Sequence, residues 1–119
     1  MLYKAQEIID EANRLGGAVI AAHPYRLGLG YGGEAVKKLH SLTALEVYNG
    51  GNNHNDNKLA LELAATLNLP GTGGSDAHCI KDIGRCYTEF FTPLQTLNDL
   101  IAALKAGEYL ARNSGALKK

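Results

Sequence analysis

The sequence predicts an α/β fold of mostly parallel strands alternating with helices, and three observations carry that expectation. Short apolar runs alternate with stretches of helical periodicity. The first run, Ala18-Val19-Ile20-Ala21-Ala22, is continuously apolar, as in strands covered on both faces. The first three runs end at His23-Pro24, at the polar run from Asn49 and in the glycines of residues 71–74, so each is bounded by residues that break a strand.

The elements follow in order. Leu2, Ala5, Ile8, Ile9, Ala12 and Leu15 recur at helical spacing, so they predict a helix with these residues inward, stopped by Gly16-Gly17. The strand at residues 18–22 ends at His23-Pro24, because proline cannot donate to a ladder. A Gly-rich loop leads to a short helix around residues 34–40, with Ala35, Val36 and Leu39 inward. Ala44-Leu45-Glu46-Val47-Tyr48 predicts a second strand, broken by the polar run of residues 49–57. Leu59, Ala60, Leu63, Ala64 and Leu67 mark the next amphipathic helix. Residues 69–72 form a third short strand, and residues 86–91, rich in aromatic and β-forming side chains, a fourth. Thr92-Pro93 is the expected start of the last helix, with the hydroxyl as N-cap and proline at the first helical position. Leu94, Leu97, Leu100, Ile101 and Leu104 would be its buried stripe, and Gly107 its stop.

With 119 residues the chain is expected to form one α/β domain over residues 1–111, followed by a flexible tail at 112–119. A complete (β/α)8 barrel takes roughly 250 residues, so half of one is the most that fits. Lys plus Arg and Asp plus Glu stand at 12 each, which does not favour a nucleic-acid partner or an anionic membrane. The apolar runs are too short to cross a bilayer, and the amino end lacks a signal pattern. Two cysteines, Cys79 and Cys86, have neither zinc-knuckle spacing nor the number a disulfide scaffold needs. A cytoplasmic setting is the expectation.

Parallel strands direct their carboxyl ends to one edge, where sites gather. There the sequence places His23 after the first strand, Glu46 to Asn49 on and after the second, and Asp76 with His78 in "GTGGSDAH" after the third. Imidazole nitrogen and carboxylate oxygen suit zinc, manganese or iron. The glycines permit positive φ and leave room beside the donors. The plain alternative for Ser75-Asp76 is a turn or a helix cap.

Beyond single residues, "GGAVIAAHPYR" at 16–26, "ALEVYNG" at 44–50, "LPGTGGSDAH" at 69–78 and "IGRCYTEF" at 83–90 stand in the order in which they occur in one family. The chain resembles the carboxyl-terminal half of the polymerase and histidinol phosphatase (PHP) family. The resemblance implies part of a distorted PHP-type β/α barrel that hydrolyses phosphate esters with zinc, manganese or iron. It implies His23, Asp76 and His78 as metal ligands. It also implies a phosphorylated small molecule or nucleotide as substrate. Arg26 is then a candidate for bidentate pairing with a phosphate, with a solvated loop cation as the alternative, and Asn49 and Tyr25 are weaker candidates for the same pocket. The family's site also takes an amino-terminal His-x-His pair and further His and Glu ligands, and residues 1–22 contain no histidine. The competing expectation is therefore a non-catalytic metal-binding or structural module derived from that fold. A half-barrel leaves strand edges and an apolar face open, so a homo-oligomer or an additional amino-terminal segment is expected to cover them.

Other signals carry less. "GLGYGG" at 28–33 matches a dinucleotide-binding pattern, but five residues separate it from the strand end, where the fingerprint needs its tight turn. Ser75 and Asp76 are adjacent and cannot form a triad with His78. His40 is expected on a solvent-facing helix surface, His54 in a turn near a strand end, and Cys79 as packed rather than ligating.

Overall fold

The computed structural model describes residues 2–26 and 33–114. Among them it shows a mixed α/β architecture with a small parallel sheet and helices. Helix α1 spans Leu2–Arg14; Gly16, at φ 82°, ends it in the left-handed region that glycine enters without strain. Its anchorage is partly polar: Gln6 bonds both the carbonyl and the N–H of His40, and Asn13 donates to the Ser41 carbonyl. Of the expected inward stripe, Ile9 is buried, whereas Ile8 and Leu15 are exposed. One side of α1 meets the rest of the chain, and those two side chains lie off it.

Strand β1 is only Ile20–Ala21 and pairs in parallel with β2, Ala44–Asn49. The expectation of a strand covered on both faces does not hold for it: β1 is the sheet edge, and Ile20 is 38% exposed. A 3-10 helix, Gly33–Lys38, stands where a short helix was expected, and residues 28–32 of the Gly-rich loop lie outside the described residues. His40 follows it at an exposed position.

Strand β2 is the centre of the molecule. On one face Leu45 and Val47 pack with Val36 and with Ala60, Leu63 and Ala64 of helix α2, His54–Leu67. On the other, Ala44 packs with Leu104 and Tyr109. Helix α2 begins inside the polar run because Asn53 caps it, its side chain accepting from the Asp56 N–H at 2.8 Å. Asn68, left-handed at φ 56°, closes it.

Strand β3, Gly71–Gly74, pairs in parallel with β2, with a register shift between Glu46 and Tyr48. Its glycines are a packing requirement: a Cβ on Gly71 would stand 2.6 Å from Val47, and one on Gly73 would stand 2.3 Å from the Tyr87 carbonyl. That close approach joins the sheet to an antiparallel pair, β4 at Cys86–Phe90 and β5 at Tyr109–Asn113. Thr88 makes the junction, its hydroxyl accepting from the Gly73 N–H at 2.9 Å and donating to the Gly73 carbonyl at 2.8 Å.

Helix α3, Leu97–Ala106, connects β4 to β5. It starts later than Thr92-Pro93 because Thr96 and Asp99 form a reciprocal capping box, and Gly107 ends it as expected. Of its expected stripe Leu104 is buried and Leu97 exposed. The antiparallel β4–β5 pair departs from the mostly parallel expectation, and β5 continues through Arg112 to Asn113, past the expected start of the tail. Ser114 still bonds the carbonyls of Gly84 and Arg85; residues 115–119 lie outside the described residues. No helix among the described residues is long and apolar enough to cross a membrane.

Candidate functional site at the carboxyl edge of the sheet

The parallel register carries the ends of β1, β2 and β3 to one edge, and the segments that leave them meet there. Pairing continues past the end of β2, with the Gly50 N–H donating to the Gly74 carbonyl at 2.9 Å, so the loops after β2 and β3 depart side by side. They depart tightly: a Cβ on Gly50 would stand 2.5 Å from the Ser75 carbonyl, and one on Gly74 would stand 2.8 Å from Glu46 Oε2. Two non-glycine residues take positive φ at this edge, His23 at 23° and Asp76 at 49°. Such conformations cost free energy and persist where the surroundings fix them.

The fixing is done by a polar network. Glu46 Oε1 accepts from the His23 N–H and from Asn49 Nδ2, both at 2.9 Å, and so binds the first strand end to the second. Asn49, almost fully buried, turns its Oδ1 to the Gly51 N–H at 2.8 Å and to Arg26 at 2.6 Å. Asn57, buried in the first turn of α2, accepts from the Asn49 N–H and from Asn52 Nδ2, each at 3.1 Å, and donates to the Asn49 carbonyl at 3.3 Å.

Arg26 is the hub. Its Nε donates to Asn52 Oδ1 at 2.8 Å, while Nη2 meets both Asn49 Oδ1 and Asp76 Oδ2, the latter at 2.5 Å. Three oxygens from two loops thus surround one guanidinium. The Arg26 bond is the main reason that the Asp76 carboxyl is held below its ordinary range; partial burial opposes it, and the charge of Arg26 adds to the lowering. The Asp76 carbonyl receives His78 Nδ1 at 2.9 Å. A carbonyl can only accept, so Nδ1 carries the hydrogen, and the neutral ring keeps its lone pair on the exposed Nε2.

Asp76, His78 and Arg26 line one cavity of about 320 Å³ with Asp82 and Arg85. Arg85 was not foreseen: it lies within the quoted "IGRCYTEF", but its direction is set by an ion pair to Asp82 at 3.1 Å. Asn52 and Asn57 were not singled out either, since an asparagine-rich run reads as turn. Tyr25 is placed apart from this cavity. Its hydroxyl donates to Glu34 at 2.8 Å, and burial, with Glu34 beside it, pushes its pKa up to about 12. His54 opens α2 and lines a different cavity. Ser75 is occupied structurally, donating to the Cys86 carbonyl at 3.0 Å and accepting from the Gly84 N–H at 2.7 Å. Cys79 is exposed and donates to Asp82 at 3.3 Å.

The donor chemistry at this edge suits a divalent metal ion in part. His23 Nδ1 is buried and lacks a partner among the described residues, and His78 offers Nε2. Yet no group of three or more His, Cys, Asp or Glu side chains that could hold a metal ion occurs among the described residues, and Asp76 already faces Arg26.

Comparison with known proteins gives one match. Residues 54–109, just under half of the chain, match the family model PHP_C, described as PHP-associated. The matched stretch includes Asp76 and His78 but not His23, Arg26 or Asn49. No curated protein and no solved structure matches the chain.

Proposed function

We propose, from the match of residues 54–109 to the PHP-associated family model, that the chain serves as the carboxyl-terminal portion of a PHP-type metal-dependent phosphoesterase. The observation that carries this reading is the convergence of Arg26, Asp76 and His78 on one cavity at the sheet edge, across 50 residues of sequence, with His23 at the neighbouring strand end.

In this reading His23, Asp76 and His78 are metal donors, and the remaining donors come from outside the chain, within a larger β/α barrel. A divalent zinc, manganese or iron ion held there would lower the pKa of a bound water and offset phosphate charge. The chain's own residues orient and bind. The Asp76 carbonyl fixes the His78 tautomer, so that Nε2 faces outward. Glu46 positions the His23 backbone. Arg26 and Arg85 give the cavity two guanidinium groups suited to phosphate oxygens. Asp76 would help hold the cation, and Arg26 would bind phosphate oxygens.

A second reading, a non-catalytic metal-binding or structural module derived from the fold, is favoured by the engagement of Arg26 with three protein oxygens. Metal content decides between them. Tag-free protein purified without added metal and measured by inductively coupled plasma mass spectrometry is expected to carry about one equivalent of zinc, manganese or iron, and His78→Ala to lose most of it. Metal-free protein that also fails to take up added manganese or zinc would overturn metal binding by this chain on its own. Bound metal without phosphatase turnover, even when the missing donors are supplied, would establish the second reading.

A further inference from the structure

A second cavity, of about 350 Å³, lies between α2 and the β4–β5 pair and shares no lining residue with the strand-end cavity. Its wall carries three cationic or titratable nitrogen side chains, His54 and Lys58 from α2 and Arg112 from β5, and no aspartate or glutamate. In a chain with equal numbers of acidic and basic residues, that separation of sign is local to this wall. Glu89 holds Arg112 from outside the lining, accepting from Nε at 2.7 Å. Lys58 has no hydrogen-bond or ion-pair partner among the described residues.

The rest of the wall is suited to a ring. Tyr48 and Tyr87 line it, and Tyr87 is 45% exposed although it stands in the middle of a paired strand. Neither hydroxyl has a partner among the described residues. The exposed face of Tyr87 beside the unpaired Lys58, with Arg112 held in place by Glu89, offers both stacking and charge to one molecule. The volume lies at the small end of small-molecule sites, which combine an apolar wall with a few convergent polar groups.

We propose that this cavity binds a small aromatic phosphate-type anion, no larger than a mononucleotide, with its ring against Tyr87 and its anionic group on Lys58 and Arg112. The site is independent of the metal reading given above, since it uses none of the strand-end residues. Asn57 lines the cavity and also bonds Asn49, so a ligand here sits one hydrogen-bonded side chain from the Arg26 network.

Phenylphosphonate is a suitable probe, because its carbon–phosphorus bond resists phosphoesterase cleavage. Titrated into the full chain and followed by amide NMR, it is expected to saturate with a Kd of about 1 mM, a weak but specific affinity. The largest shifts should fall at Lys58, Tyr87 and Arg112. Lys58→Gln and Tyr87→Ala, both at exposed side chains, should each weaken binding about fivefold or more, and inorganic phosphate, which lacks the ring, should bind several-fold more weakly. Absence of saturation at about 10 mM would overturn the proposal. So would shifts centred on Arg26, Asp76 and His78, which would assign the anion to the strand-end cavity instead. Unchanged affinity in Lys58→Gln, a substitution on an exposed helix surface, would do the same.

Discussion

One guanidinium holds the strand ends together, and its charge has a pH signature. Asp76 in the folded chain titrates below the ordinary carboxylate range, chiefly through its bond to Arg26. A group whose folded pKa is depressed adds stability above its unfolded value, about 3.9 for aspartate, and loses that stability as pH falls through the folded value. Arg26→Gln should therefore lower the urea midpoint most above about pH 5, and the difference from the parent chain should shrink toward about pH 2. A remainder independent of pH should persist from the lost bonds to Asn49 and Asn52. Equal differences at every pH would show that Asp76 gains nothing from its partner. At this scale position was legible where the backbone constrains a residue: His23, Asp76 and His78 follow strand-like runs, beside proline or glycine, and stand after β1 and β3 in the fold. Asn52 and Arg85 were not legible, because their roles depend on which way their side chains point once two loops are joined.

Elements set by local chemistry were legible, and those set by distant partners were less so. The start of α3 shows the difference within local chemistry itself. Thr92-Pro93 satisfies a capping rule, but Thr96 satisfies it better, because Asp99 returns a bond to the backbone N–H of Thr96 and of Gln95. Thr96→Ala should cost about 1 kcal/mol of stability, readable as a fall in the thermal midpoint with little change in the strand-end loops. A variant as stable as the parent would mean that α3 is held by packing alone. Strand β5 was missed for the opposite reason. Its five residues alternate between buried or half-buried and exposed, yet so short a run is stabilised by pairing with β4 and by the Tyr109 ring, 5.4 Å from Phe90. No local signal announces a partner that lies across a helix.

The whole molecule leaves an edge unfinished. Among the described residues strand β1 has one neighbour, its Ile20 is partly exposed, and Ile8 on α1 and Leu15 just after it are exposed. Such a face invites a second copy of this chain or a further segment of polypeptide. Self-association is the proposal for the chain on its own: light scattering should report a dimer, and Ile20→Lys should shift it toward monomer. A parent chain that stays monomeric across a wide concentration range would refute that expectation. Both possible covers follow from the parallel pairing of β1 with β2, which was legible in the apolar run at residues 18–22; the shortness of β1 was not, since the sheet beyond it is absent from the run itself.

The Arg26–Asp76 bond also has a kinetic meaning. Its partners are 50 residues apart, so their encounter requires closing a long loop and aligning three parallel strands first. No collapsed form with α2 alone, or with the β4–β5 pair alone, can place that charge on that carboxylate. The pair is thus a marker of joined strand ends: a spectroscopic probe at Asp76 would follow the step in which the loops after β1 and β3 meet.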